Sequence, residues 1–201
     1  MEKSNQVMTE RIISAISTPQ GTGGVAIIRV SGNGALGLAE KMFEPCGKLS
    51  VKDFEPNKMY AGKILCEGFS DFGLCVYFKA PKSFTGEDVV EFHCHGGAEI
   101  ARGVLRATVA NGAYLAERGE FTKRAFVNGK LSLSSAEGMI DMINAESLAE
   151  VRAGGLLYGE KLTKDVQKIQ SELTDALAGI AADTDYPEEG IEETELSGLG
   201  R

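Results

Sequence analysis

Two polar blocks constrain this chain more than any other feature. One runs Ser83-Phe84-Thr85-Gly86-Glu87-Asp88-Val89-Val90-Glu91-Phe92-His93-Cys94-His95-Gly96-Gly97, and the other runs from Arg118 through Gly119-Glu120-Phe121-Thr122 to Asn128-Gly129-Lys130. Both are dense in charge, amide and glycine, none of which a packed core requires. Glycine permits close backbone approach, and charged groups in such surroundings supply recognition, so the blocks predict a site carried on a scaffold. The rest of the chain must provide that scaffold.

It has the means to do so. The 201 residues are 43% hydrophobic and 25% charged, as in ordinary globular domains. No apolar run approaches the ~20 residues that span a bilayer. The first residues lack the apolar stretch of a signal peptide, so a cytoplasmic chain without membrane contact is expected. Cys46, Cys66, Cys75 and Cys94 show no close pairing and read as reduced thiols, mostly buried. Asp183, Asp185, Glu188, Glu189, Glu192, Glu193 and Glu195 carry seven of the eight net negative charges. This run reads as a solvated end, with a docking segment as the alternative. The remaining body is nearly neutral and lacks the basic footprint of an autonomous nucleic-acid binder.

The pattern predicts strands at Val25–Val30, Met59–Cys66, Phe72–Phe78 and Val89–His95, with Glu67–Asp71 as a turn. Helices are expected from Ala35 to Phe43 and from Glu99 to Ala110, the latter stopped by Asn111-Gly112. Ser134 and Glu137 have capping-box spacing. Leu133, Ala136, Ile140 and Ile143 follow at helical spacing, and Leu162, Val166, Ile169, Leu173, Ala176 and Ile180 form one apolar stripe, read as packing within a bundle. The chain is therefore expected to be α+β: a mixed β-sheet domain with packed helices over residues 1–128, then part of an α-helical domain over 129–201.

Several motifs compete for the function. Gly32-Asn33-Gly34-Ala35-Leu36-Gly37 matches the dinucleotide fingerprint, which would predict NAD(H) binding. The later strands come consecutively rather than as βαβ units, and Arg29 and Ser31 interrupt an otherwise apolar strand. No GxxxxGK[ST] is present, so no P-loop holds GTP or ATP. On a strand His93 and His95 share one face and Cys94 the other, so only two imidazoles converge and a metal site is not expected. Glu91 shares the histidine face. A carboxylate there can accept two parallel hydrogen bonds from an N–H and an adjacent amino group, the edge that pterins and guanine present; the alternative is a salt bridge. Arg124 and Lys130 could supply a fixed cation.

The chain resembles the N-terminal part of the MnmE (TrmE) family of tRNA-modifying GTPases. The resemblance is carried by Thr18-Pro19-Gln20-Gly21 with Gly23–Gly32, by Ala80–Glu91 with His95-Gly96-Gly97, and by Gly119–Thr122, Arg124-Ala125-Phe126, Asn128–Leu131 and Ala136-Glu137. Asp185-Tyr186-Pro187-Glu188-Glu189 is similar to the family's closing motif. The resemblance implies a tetrahydrofolate-binding domain over 1–128 that also forms a homodimer. It implies 5-formyltetrahydrofolate or 5,10-methylenetetrahydrofolate as cofactor, with Arg29, Glu91 and Lys130 as the cofactor-binding positions. It further implies a role in placing a (carboxymethyl)aminomethyl group on C5 of the wobble uridine of tRNA. The partner would be the MnmG (GidA) flavoprotein, with tRNA reached through that complex.

The family's G domain, with its GTP, Mg²⁺ and K⁺, and its C-terminal cysteine motif are not in this chain, which is expected to be truncated. Alone it is expected neither to hydrolyse GTP nor to modify tRNA. Tyr114 stands where the family often has Arg, and Ser132 where it has Asp. Two other readings stay open: a stand-alone folate-dependent C1-transfer enzyme, for which His93 or Cys94 would be the base or nucleophile, and a pure dimerisation scaffold.

Overall fold

A computed structural model describes residues 11–19, 21–159 and 161–185, the side chains of 161–163 and 182–185 excepted. The acidic run and the closing motif lie outside the described side chains. The chain divides into two compact units, Met1–Leu131 and Ser132–Arg201.

The first unit is built on strands β1 (Ile13–Ile16), β2 (Val25–Ser31), β3 (Phe43–Pro45), β4 (Met59–Cys66), β5 (Phe69–Phe78), β6 (Val89–His95) and β7 (Tyr114–Leu115). They form one sheet in the order β3-β4-β5-β6-β2-β1-β7, antiparallel except for β1 with β7. Helices α1 (Ala35–Met42), α2 (Ala98–Ala110) and α3 (Glu120–Val127) complete the unit. Alternation along the central strands divides the residues between two faces. Ala26, Ile28, Val30, Val90, Phe92, Cys94 and Cys75 join Leu38, Met42, Val104 and Ala107 of α1 and α2 in the core. Ser14 also turns toward α2, where it accepts a hydrogen bond from Thr108 Oγ1 at 2.9 Å. The opposite face carries Arg29, Ser31, Glu91 and His93, alternating with those core residues.

Two expectations change here. Strand β5 begins at Phe69 rather than Phe72, because Glu67-Gly68 alone closes the hairpin. Asp71, which reads as a turn residue, is a buried strand position whose carboxylate accepts the His95 N–H at 2.8 Å. The dinucleotide reading is overturned: β2 runs antiparallel to both neighbours, so no parallel βαβ unit exists around the glycines. Gly32 instead lets the chain pass the Arg11–Ile12 backbone, where an added Cβ would lie 3.0 Å from the Arg11 carbonyl oxygen.

The second unit contains α4 (Leu133–Asn144), α5 (Leu148–Tyr158) and α6 (Lys161–Asp185). The N-cap of α4 is Ser132, not Ser134: its hydroxyl accepts from Ser135 N at 3.1 Å. Serine is among the strong N-caps. α4 and α5 cross where Gly138 meets Gly154, and a Cβ on Gly138 would sit 2.5 Å from the Gly154 carbonyl oxygen. The stripe on α6 is exposed among its described side chains at Val166, Ile169 and Leu173, unlike a packed bundle seam; Leu162 lies outside the described side chains.

Candidate functional site

The centre of the sheet's second face is an ion pair. Arg29 on β2 and Glu91 on β6 stand directly opposite each other in the antiparallel register. Arg29 Nε donates to Glu91 Oε1 at 2.7 Å. The other carboxylate oxygen lies 3.3 Å from His93 Nε2. Alternation puts Glu91 and His93 on this face while Phe92 goes to the core, as the strand pattern predicts. Glu91 is not an open carboxylate, however. It is buried, and one of its oxygens is already engaged by Arg29.

Aromatic rings flank the guanidinium. The Arg29 Cζ atom lies 5.3 Å from the Phe84 ring centre and 5.8 Å from that of Phe121. Both distances are within reach of cation–π attraction. Phe84 comes from the loop between β5 and β6, and Phe121 from the first turn of α3. The guanidinium thus has two aromatic rings within reach and stays partly exposed, its side chain 27% accessible.

Lys130 reaches the same loop from the end of α3. Gly86 adopts φ +78°, a left-handed conformation that costs an L side chain about 1–2 kcal/mol. A Cβ there would lie 3.1 Å from Asn128 Cβ and 3.2 Å from Lys130 Cγ. The lysine stem therefore lies against a bare backbone. Two bonds fix this approach: Asn128 Nδ2 donates to the Thr85 carbonyl at 2.7 Å, and Lys130 N donates to the Ala125 carbonyl at 2.8 Å. Lys130 is exposed and has no ion-pair partner among the described residues.

Of the two cations read from sequence, only Lys130 remains available. Arg124 is buried and committed: its guanidinium contacts both Glu87 oxygens at 3.1 and 3.2 Å and donates to Glu120 Oε1 at 2.9 Å. Burial alone would raise the Glu120 carboxyl. The Glu117 N–H and the Arg124 and Arg11 guanidiniums outweigh burial and hold it below the ordinary carboxylate range. Asp88 closes the loop on its other side, accepting from Tyr77 Oη at 2.9 Å and Ala80 N at 3.0 Å.

The remaining candidates separate. His95 does not join His93: its Nδ1 pairs with Asp71 Oδ1 at 2.6 Å, and its ring is exposed. Among the described residues no group of three or more His, Cys, Asp or Glu side chains is placed to hold a metal ion. Cys94 is buried on the core face, where burial pushes its thiol up to about 11. Cys75 is buried as well, but Cys66 is only partly covered and Cys46 is exposed, so two of the four thiols depart from the expected burial. Tyr114 stands at the sheet edge with its ring centre 5.6 Å from the Arg11 guanidinium. Phe84, Phe121 and Glu87 are the site residues that sequence reasoning missed. They lie inside the two polar blocks, and their contacts span too much sequence for spacing to reveal.

Comparison with known proteins agrees with the motifs that pointed here. Residues 12–130 match the family described as GTP-binding protein TrmE N-terminus. The chain is 43% identical over 187 residues to the tRNA modification GTPase MnmE of Acetivibrio thermocellus, covering 92% of this chain and 40% of the relative. It is 41% identical over 182 residues to that of Clostridioides difficile, covering 90% and 39%, and 40% identical over 189 residues to that of Carboxydothermus hydrogenoformans, covering 92% and 41%. The chain spans about two fifths of the length of these relatives. An α+β fold with the match running from the start of β1 to Lys130 places the whole site inside the matched region; the chain belongs to the TrmE (MnmE) family of tRNA modification GTPases.

Proposed function

We propose that this chain is the folate-binding and dimerisation part of a longer tRNA modification GTPase. The observation that carries the reading is the Arg29–Glu91 pair beside the Phe84 and Phe121 rings, with Lys130 seated on the adjoining loop. The donor set suits a reduced folate. A carboxylate that can accept from adjacent N–H groups, a guanidinium beside two aromatic rings and an exposed ammonium complement a ligand with an amino-pyrimidine edge, a flat ring and carboxylates at its tail. Glu91 reads the pterin edge by exchanging its Arg29 and His93 contacts for the ligand's N–H groups. Arg29 and Lys130 orient the pterin, the formyl group or the glutamate tail. When bound, 5-formyltetrahydrofolate or 5,10-methylenetetrahydrofolate supplies the one-carbon unit.

The complete protein would act as a homodimer with the MnmG flavoprotein on the wobble uridine of tRNA in the cytoplasm. GTP, Mg²⁺ and K⁺ would belong to its G domain. A stand-alone C1 transferase is disfavoured by the two candidates for its chemistry. Cys94 is buried with a raised thiol, and His93 is paired with Glu91. Equilibrium dialysis with labelled 5-formyltetrahydrofolate, with unlabelled ligand and NADH as competitors, tests the proposal. Saturable retention displaced by folate but not by NADH is expected. Absence of retention by the folded chain, or displacement by NADH, contradicts it.

A further inference from the structure

Next to Arg29 on the same face of β2 stands Ser31, and with it begins a second and more deeply buried polar cluster. Ser31 Oγ bonds Thr85 Oγ1 and Glu87 Oε2, each at 2.7 Å. Glu87 N donates to Thr85 Oγ1 at 3.3 Å. The Glu87 carboxylate pairs with Arg124, whose Nη1 also donates to the Arg11 carbonyl at 2.9 Å. Arg124 is 3% exposed and the Glu87 side chain 13%. Four parts of the first unit converge on this one pair: the end of β2, the 83–88 loop, α3 and the segment before β1.

Stability alone does not account for such a cluster. An apolar pair of the same volume often stabilises a fold as well or better, and the best-attested use of a buried ion pair is to fix a register. The register in question is that of α3 against the 83–88 loop. Phe84 is adjacent to Thr85, and Phe121 is one turn before Arg124 on α3. The Asn128 to Thr85 carbonyl bond and the Lys130 stem over Gly86 complete the seam on its far end.

We infer that Glu87 and Arg124 are positioning residues for the folate site, their buried pair setting Phe121 against Arg29 and Lys130 against Gly86. The inference rests on the folate reading for its ligand, though its geometric half does not. It is tested by titrating 5-formyltetrahydrofolate into the chain and its Glu87→Gln, Lys130→Ala and double variants, with thermal unfolding of each. Glu87→Gln is expected to unfold cooperatively and to bind about tenfold more weakly, the scale of one charge-assisted bond. The double variant is expected to lose less than the product of the two single losses, because the first change acts in part through the second residue. Glu87→Asp, which keeps the charge, is expected to recover part of the affinity.

Unchanged affinity in folded Glu87→Gln overturns the inference, and so do losses that multiply in the double variant. If the parent chain binds no folate, the folate reading fails, and amide NMR of Glu87→Gln decides the positional claim. Shifts at Phe121, Asn128 and Lys130 support it, and shifts confined to residues 85–88 overturn it. Should Glu87→Gln fail to fold, Glu87→Asp and Arg124→Lys carry the same two measurements.

Discussion

At the scale of single residues, the site divides into groups that face outward and groups that hold them. Lys130 is exposed, so Lys130→Ala is expected to change stability by no more than about 0.5 kcal/mol while weakening folate binding by about tenfold or more. Thermal unfolding and titration of the same sample separate the two effects. Gly86→Ala reverses that balance. It places a Cβ where φ is +78° and against Lys130 Cγ at 3.2 Å. A loss of about 1–2 kcal/mol of stability, together with weaker binding, is expected, and denaturant unfolding measures the first. Thiols sort by burial: Cys46 is expected to react quickly with a thiol reagent in the native chain, and Cys75 and Cys94 only after unfolding. Mass spectrometry of partially labelled protein reads the order.

At the scale of elements, periodicity predicted what repeats and missed what is unique. Strands β2, β4 and β6 and helices α1 and α2 follow the spacing of their apolar residues, because one buried face enforces it. The pattern shortens β5 because Asp71 looks like a turn residue, and only the contact with His95 shows why a strand buries it. The two-residue β7 and the three-residue β3 are too short to carry a pattern. Spacing favours Ser134 over the true cap Ser132 because Ser134 and Glu137 present the capping-box signal two residues further on. For the site, the residue types were readable and the pairing was not. Alternation places Glu91 with His93, but nothing in the spacing joins Arg29 to Glu91 across the sheet or Arg124 of α3 to Glu87 of the 83–88 loop. One consequence belongs to the helices. Gly138→Ala drives a Cβ to 2.5 Å from the Gly154 carbonyl oxygen, so it is expected to part α4 from α5 and lower the unfolding temperature despite alanine's better helix propensity.

At the scale of the whole molecule, the buried charges make stability depend on acid. The Glu120 carboxyl is held below its ordinary value of 4.5. Its contribution is therefore complete above that value and is lost as pH falls through the lower folded one. The unfolding temperature is expected to drop below about pH 4.5, and Glu120→Gln to flatten that slope while lowering stability at neutral pH. The central claim is that one face of the sheet binds a reduced folate through Arg29, Glu91 and Lys130. Isothermal titration of 5-formyltetrahydrofolate into the chain, beside Glu91→Ala and Lys130→Ala, tests it most directly. Saturable binding that weakens in both variants is the predicted result. Binding of equal strength in all three proteins, or none in a folded parent chain, would contradict the account.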